Sequence, residues 1–288
     1  SVERAAKQHL GQEVRWARSA EDRTAIDQRV SELLQQPLRS DVAVQVALLN
    51  NPGLQAAYFE LGISEADVVR SGRLPNPGFG FARLTKGEEI EWERGLHFDL
   101  ASLIALPMKR QIEQRRFAQA QGNAAMAVLT LAADARKAWV QAVAAEESLR
   151  YATQVMQAAE AGAELARRME QAGNFSALQR LREQSFYADA AIGLARAQQA
   201  RLATRERLTR LLGLWGTQAD FKLPERLPDL PGAPRDLPDV ERTAIAQRLD
   251  VQGAKLATEQ MARSLGLTRT TRFDELAELC IGGFQRGE

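Results

Sequence analysis

From Met108 to Leu223 the chain contains no proline. Over that length it is rich in Ala, Gln, Arg, Glu and Leu, all strong helix formers. Such a run has few alternatives to long helices. Lys109–Ala172 is expected as one helix of about 60 residues, roughly 90 Å at 1.5 Å per residue. Gly173-Asn174-Phe175 interrupts the pattern. Ser176 then opens a second helix, with Gln179 at the capping-box spacing. That helix should end near Leu212, where Gly213 can supply the C-cap. Two long helices around so short a turn make an αα-hairpin. Its apolar positions are mostly alanine, so the arms must approach closely. That favours a thin coiled-coil wall over a thick globular core.

The flanks are organised differently. Residues 1–40 are polar and read as short helices closed by Pro37. A helical segment over 41–73 follows, with Asp41 as a plausible N-cap and Pro52 interrupting or restarting it. It stops at Gly72, before Leu74-Pro75-Asn76-Pro77-Gly78. Within 74–107 the period changes to two. Phe79 and Phe81 alternate with small residues, and after a polar turn the alternation becomes strict. Ile90, Trp92, Leu96, Phe98 and Leu100 fall on one side, with Arg94 the intruder. Glu91, Glu93, His97 and Asp99 fall on the other. This is a β-hairpin whose second strand meets two different solvents. Beyond the helical hairpin (108–213), residues 214–240 carry Pro224, Pro228, Pro231, Pro234 and Pro238, an extended linker. A helical pattern returns at Val240 and fades near Gly266. The segment 241–288 closes the chain, with a strand start around Leu276–Gln285.

That last segment repeats an earlier one. Ala47-Leu48-Leu49-Asn50-Asn51-Pro52-Gly53-Leu54-Gln55 aligns with Ala244-Ile245-Ala246-Gln247-Arg248-Leu249-Asp250-Val251-Gln252 at an offset of about 197 residues. Each copy leads into a helix, a glycine (Gly72, Gly266) and a phenylalanine (Phe79, Phe273). A second copy as long as the first would need a chain of about 440 residues. The sequence therefore reads as incomplete towards its C-terminus.

Composition excludes several classes. Lys+Arg is 38 against 37 Asp+Glu, which removes the electrostatic footprint of a nucleic-acid binder. Cys280 is the lone cysteine, and His9 and His97 are the only histidines, so no metal site is assigned. Met108, Met126, Met156, Met169 and Met261 are dispersed and read as packing residues, not as a soft-metal path. No nucleophile elbow, P-loop or zinc-protease motif occurs. Glu146-Glu147 is a solvated helix patch. The chain is therefore read as neither an enzyme nor a cofactor binder. No stretch is long and apolar enough for a transmembrane helix, a test that membrane β-strands escape.

The order helix, β-hairpin, long helical hairpin, proline linker and second copy resembles the TolC-like outer-membrane efflux channels. The residues that carry the resemblance are Ala47–Leu54, Leu74-Pro75-Asn76-Pro77, Leu106-Pro107-Met108-Lys109-Arg110, Arg168 with Gly173, and Leu211-Leu212-Gly213. It spans roughly residues 40–275 and rests on joint order and spacing. The resemblance implies a mainly α fold with a small β part, most of the chain being periplasmic. The β-hairpin would join a trimeric barrel in the outer membrane of a Gram-negative bacterium. The helical hairpin would line a periplasmic tunnel whose tips meet a periplasmic adaptor and, through it, an inner-membrane pump. The chain would be a passive exit duct for efflux or secretion. The alternative is a soluble periplasmic coiled-coil adaptor or interaction protein.

Two sets of site residues follow. In the channel reading Ile90, Trp92, Leu96 and Phe98 face lipid, while Glu91, Glu93, His97 and Asp99 face the lumen. A cation bias would follow, offset in part by Arg83 and Arg94. An ordinary amphipathic strand of a soluble sheet remains the alternative for this segment alone. The adaptor-docking tip comprises Gly173, Asn174, Phe175 and Ser176, flanked by Arg167, Arg168, Leu178 and Arg180. Phe175 either presents itself to a partner or closes the turn. The resemblance places the tunnel's constriction mostly on a second hairpin, so no gate residue is named.

Overall fold

A computed structural model describes residues 7, 10–12, 14–74, 76, 78–86, 89–230, 232, 239–271 and 278–286. Of residues 84–86, 89–91, 93, 96–104, 266–271 and 278–286 it describes the backbone alone. The fold is mainly α with a small β part, as expected. Helices α1 (Ala20–Leu33), α2 (Ser40–Asn50) and α3 (Pro52–Ser71) precede strands β1 (Gly78–Lys86) and β2 (Glu89–Asp99). The hairpin arms are α4 (Leu100–Gln171) and α5 (Ala177–Leu212). A 3-10 turn (Gly216–Ala219), α6 (Val240–Gln247), α7 (Leu249–Thr271) and β3 (Glu278–Arg286) complete the order. The chain forms two compact units. One holds Glu3–Ala56 and Ala127–Pro238; the other holds Ala57–Met126 and Asp239–Glu288.

Local chemistry sets most boundaries. Ser19 and Asp22 cap α1 reciprocally, a capping box. Asn51 is the N-cap of α3. Its Oδ1 accepts the Leu54 N–H at 3.0 Å, and Pro52 takes the first helical position, where no N–H is needed. Gly213 ends α5 at φ 67°, with the Leu214 N–H donating to the Thr209 carbonyl.

Three expected boundaries differ. Asp41 does not cap α2: Arg39 occupies the cap without a side-chain bond, and Asp41 lies in the first turn, where its charge suits the helix dipole. Helix α4 starts at Leu100, before the expected Lys109, and runs through Pro107 for 72 residues. Leu100 is thus its first residue and not a strand end. A proline costs a helix about 3 kcal/mol, and the helix formers on both sides sustain it here. Helix α7 continues past Gly266 to Thr271.

The core of the first unit gathers Ile26, Val30, Leu38, Val44, Leu48, Val128, Val143, Leu208 and Leu212, each at most 1% exposed. Trp139 donates its indole N–H to the Leu38 carbonyl at 2.6 Å. The base of the hairpin is tied here. Asn50 Nδ2 donates to the carbonyls of Leu212 (3.2 Å) and Gly213 (2.7 Å), and Asn51 Nδ2 to that of Leu211 (3.0 Å). These carbonyls belong to a helix C-terminus that has no intrahelical donors for them. Arg205 donates to the Phe221 carbonyl at 2.6 Å and stacks over its ring. Glu147 accepts from the Leu227 N–H, and Arg150 donates to the Glu225 carbonyl. The start of the linker is thereby bound along the hairpin.

In the second unit the strands form one antiparallel sheet in the order β1-β2-β3. Gly78 pairs with His97 and Arg83 with Trp92, while β3 pairs with β2 from Arg286 opposite Glu91 to Glu278 opposite Asp99.

Candidate functional site: hairpin tip, outer helix faces and strand face

The tip is built by two interlocking caps. Gly173 takes φ 75°, and the N–H groups of Gly173 and Asn174 donate to the carbonyls of Glu170 and Met169. Two residues later Ser176 accepts the Gln179 N–H, and Gln179 accepts the Ser176 N–H. The turn therefore needs no outside support. Gly173, Asn174 and Ser176 are exposed, and Leu178 is 61% exposed. Phe175 is half-buried, between its two expected roles.

The tip arginines are all held. Glu164 accepts from Arg167 at 2.7 and 2.8 Å and from Arg168 at 2.8 Å. The hydrogen bond from Arg167, then that from Arg168, brings the Glu164 carboxyl from the ordinary 4.5 down to about 2. Arg180 pairs with Glu170 across the turn at 2.7 Å. Between the arms lies a cleft of ≈ 580 Å³, lined in part by Glu160, Glu164, Arg167, Arg180 and Tyr187. Sequence reasoning missed the carboxylates Glu164 and Glu170, although an Arg three or four residues from a Glu on a helix is a readable signal.

Each arm has two faces. On α5 the residues Arg180, Glu183, Tyr187, Ala190, Leu194, Ala197, Arg201, Thr204 and Leu208 are half-buried or buried. They step by three and four. Opposite them, on α4, Ala159 and Ala166 are 2% exposed. The Glu183 carboxylate would lie 3.5 Å from a Cβ placed at Gly162. Alanine marks the most buried positions of α4 here, while the facing side of α5 carries mainly longer side chains.

A second seam was missed. On α5 Leu178, Leu181, Ser185, Ala188, Ile192, Ala195, Gln199 and Leu202 also step by three and four, and all are exposed. On α4 Tyr151, Gln154, Ala158, Ala161, Leu165, Arg168 and Ala172 do the same. Tyr151 is 70%, Leu165 58%, Leu181 53% and Leu202 62% exposed. A heptad spacing is a coiled-coil seam, and these two have no partner among the described residues. A count at period 3.5 finds both seams in the sequence.

On the sheet, Trp92 is half-buried. Its ring lies 5.3 Å from that of Phe81, tilted by 38°, and the Arg83 guanidinium sits 5.3 Å from its centroid. Phe79 and Phe81 are 71% and 56% exposed. Directly paired residues share a face of a sheet, so Phe79, Phe81, Arg83, Trp92 and Arg94 occupy one face. This corrects the expectation for Arg83 and Arg94. Both stand at register positions of the aromatic face and not beside the carboxylates. The side chains of Ile90, Glu91, Glu93, Leu96, His97, Phe98 and Asp99 lie outside the described residues, as does His9. Among the described residues, no group of three or more His, Cys, Asp or Glu is placed to hold a metal ion, and no helix is long and apolar enough to cross a membrane.

No family model and no curated protein sequence matches the chain. Solved structures do. The chain superposes on the CmeC outer-membrane channel of Campylobacter jejuni with a TM-score of 0.69 at 13% identity, covering 99% of this chain and 66% of that one. For CusC, solved in a study of folding and transmembrane channel formation, the TM-score is 0.66 at 15% identity, covering 87% and 65%. For the outer-membrane protein VceC of Vibrio cholerae it is 0.61 at 13%, covering 90% and 68%. The chain has the fold of these TolC-type outer-membrane proteins. It spans about two thirds of the length of each. Identity this low carries the fold and leaves activity and partners to be argued separately.

Proposed function

We propose that the chain is a channel component of an outer-membrane efflux or secretion duct, assembled as a homotrimer, with most of its length in the periplasm. The two outer heptad seams carry this reading. A two-helix arm whose exposed seams hold Leu165, Leu181, Ile192 and Leu202 needs helices on both flanks. A heterologous seam gives a ring when the rotation between neighbouring copies closes. The fold likeness to outer-membrane channels and the exposed aromatic face of the sheet support the barrel.

The duct performs no covalent chemistry. A pump drives substrate, and the ring of helices supplies a sealed, water-lined path. Opening requires the coiled coils to splay, with an adaptor bearing on Leu178 and the exposed turn at Gly173. The short turn Ala172–Ser176 also weighs against the soluble-adaptor alternative, which would need a folded domain between its arms.

Membrane fractionation with heat-modifiability tests the reading. We expect a heat-labile trimer in the outer-membrane fraction. A soluble periplasmic monomer would overturn it and favour the interaction-protein alternative.

A further inference from the structure

The aromatic face of the sheet carries two cations. Phe79, Phe81 and Trp92 share it with Arg83 and Arg94, and both arginines are exposed. Arg83 pairs with Trp92 and Arg94 with Phe81, so the two arginines are diagonal neighbours on adjacent strands. Such neighbours stand about 7–8 Å apart on one face. The Trp92 ring contacts both the Arg83 guanidinium and the Phe81 ring, each at 5.3 Å. Glu91 and Glu93 pair with Leu84 and Ala82, at register positions of the opposite face. Among the described residues neither arginine has a carboxylate partner.

The face is graded along the strands. β1 follows α3 and β2 continues into α4, so one end of the pair meets helices and the other holds the β1–β2 connection. Phe79 lies at the helix end. Arg83 lies four residues on, roughly 13 Å nearer the connection. The site presupposes the outer-membrane channel proposed above. There the helices are periplasmic, so the β1–β2 connection lies towards the outer leaflet. Neighbouring barrel strands pair along strand edges and leave the outer face to lipid. An arginine on such a face is costly at the bilayer midplane and nearly free at the interface. Arg83 and Arg94 therefore mark headgroup depth, with Trp92 as an interfacial anchor. Phosphate is the anion at that depth. A phosphomonoester carries about −1.5 to −2 at neutral pH, which matches two guanidinium groups; a phosphodiester carries a single charge.

We propose that Arg83 and Arg94, braced by Trp92, form a binding site for the phosphomonoester headgroup of an outer-leaflet glycolipid. The two guanidinium forks donate N–H bonds to the phosphate oxygens. Phe79 and Phe81, 71% and 56% exposed and nearer the helix end, lie deeper in the leaflet and pack against the acyl chains.

Native mass spectrometry of the protein extracted from membranes in neutral detergent is the test. Bisphosphorylated lipid A is the probe, and phosphatidylglycerol is the phosphodiester control. We expect lipid A to bind at least about tenfold more tightly than phosphatidylglycerol. Arg83→Gln combined with Arg94→Gln should weaken lipid A binding at least about tenfold and bring the two lipids together. Removing charge from a lipid-facing surface favours insertion, so this variant should remain a heat-modifiable trimer. The lipid comparison is made on the unaltered protein and decides even if the double variant fails to assemble. Equal affinity for the two lipids, or lipid A binding that survives the double substitution, would overturn the site and leave the channel standing. A protein found only as a soluble monomer would overturn the channel and the site with it.

Discussion

Asn50 is 2% exposed, and its side-chain amide is fully engaged. It donates to two carbonyls at the end of α5, and its Oδ1 accepts from Arg23 at 3.0 Å. Asn50→Ala leaves those carbonyls buried without a donor and should cost about 2–3 kcal/mol in denaturant unfolding. Gly213→Ala faces both the left-handed backbone and a collision with the Asn50 carbonyl, and should cost at least about 2 kcal/mol. At the tip, Glu164 should titrate at about 2 by NMR. Arg167→Gln should raise it towards the ordinary 4.5, and adding Arg168→Gln should raise it further. Because the folded value is depressed, the contribution of Glu164 to stability is complete above the unfolded value of 4.5. It is lost as pH falls towards about 2.

At the scale of elements, the seams make the sharpest claim. Leu165→Asp or Leu181→Asp places a charge in an intended helix contact while leaving the arm's own inner face intact. Native mass spectrometry should show the trimer lost while circular dichroism keeps its helical signal; a trimer that survives both substitutions removes the seams from the assembly. Element ends were legible where one residue's backbone chemistry decides them. Gly173 and Gly213 adopt positive φ, and Ser176 with Gln179 forms the anticipated capping box. They were illegible where context overrides propensity, as at Pro107, inside α4, and Asp41, which the cap at Arg39 leaves inside the first turn. The aromatic face of the sheet was readable from a period of two. Arg94 was legible on that face as the intruder in the alternation, whereas the position of Arg83 needed the register, which its pairing with Trp92 supplies.

At the scale of the whole molecule, the reading requires a tip that acts on a partner without holding the trimer together. Gly173→Glu or Leu178→Asp should abolish adaptor-dependent efflux, read as drug or metal tolerance, with the trimer still heat-modifiable. Unchanged tolerance would remove the tip from docking. The order of elements was legible early because each changes the periodicity of the sequence. The outer seams are obscured because a buried and an exposed heptad share one helix, and a single hydrophobic average blurs them.

The bond from Asn50 to the Gly213 carbonyl joins residues 163 apart in the chain. At ordinary synthesis rates that interval lasts roughly 10–30 s. Throughout it α2 and the α1 that packs on it have been made, and the end of α5 that also packs on α2 has not. The amino-terminal helices therefore wait with part of their apolar surface open for the far end of the hairpin. A chain interrupted before Leu212 has nothing with which to close its base. Such a nascent chain is a client for a holding chaperone throughout its early life.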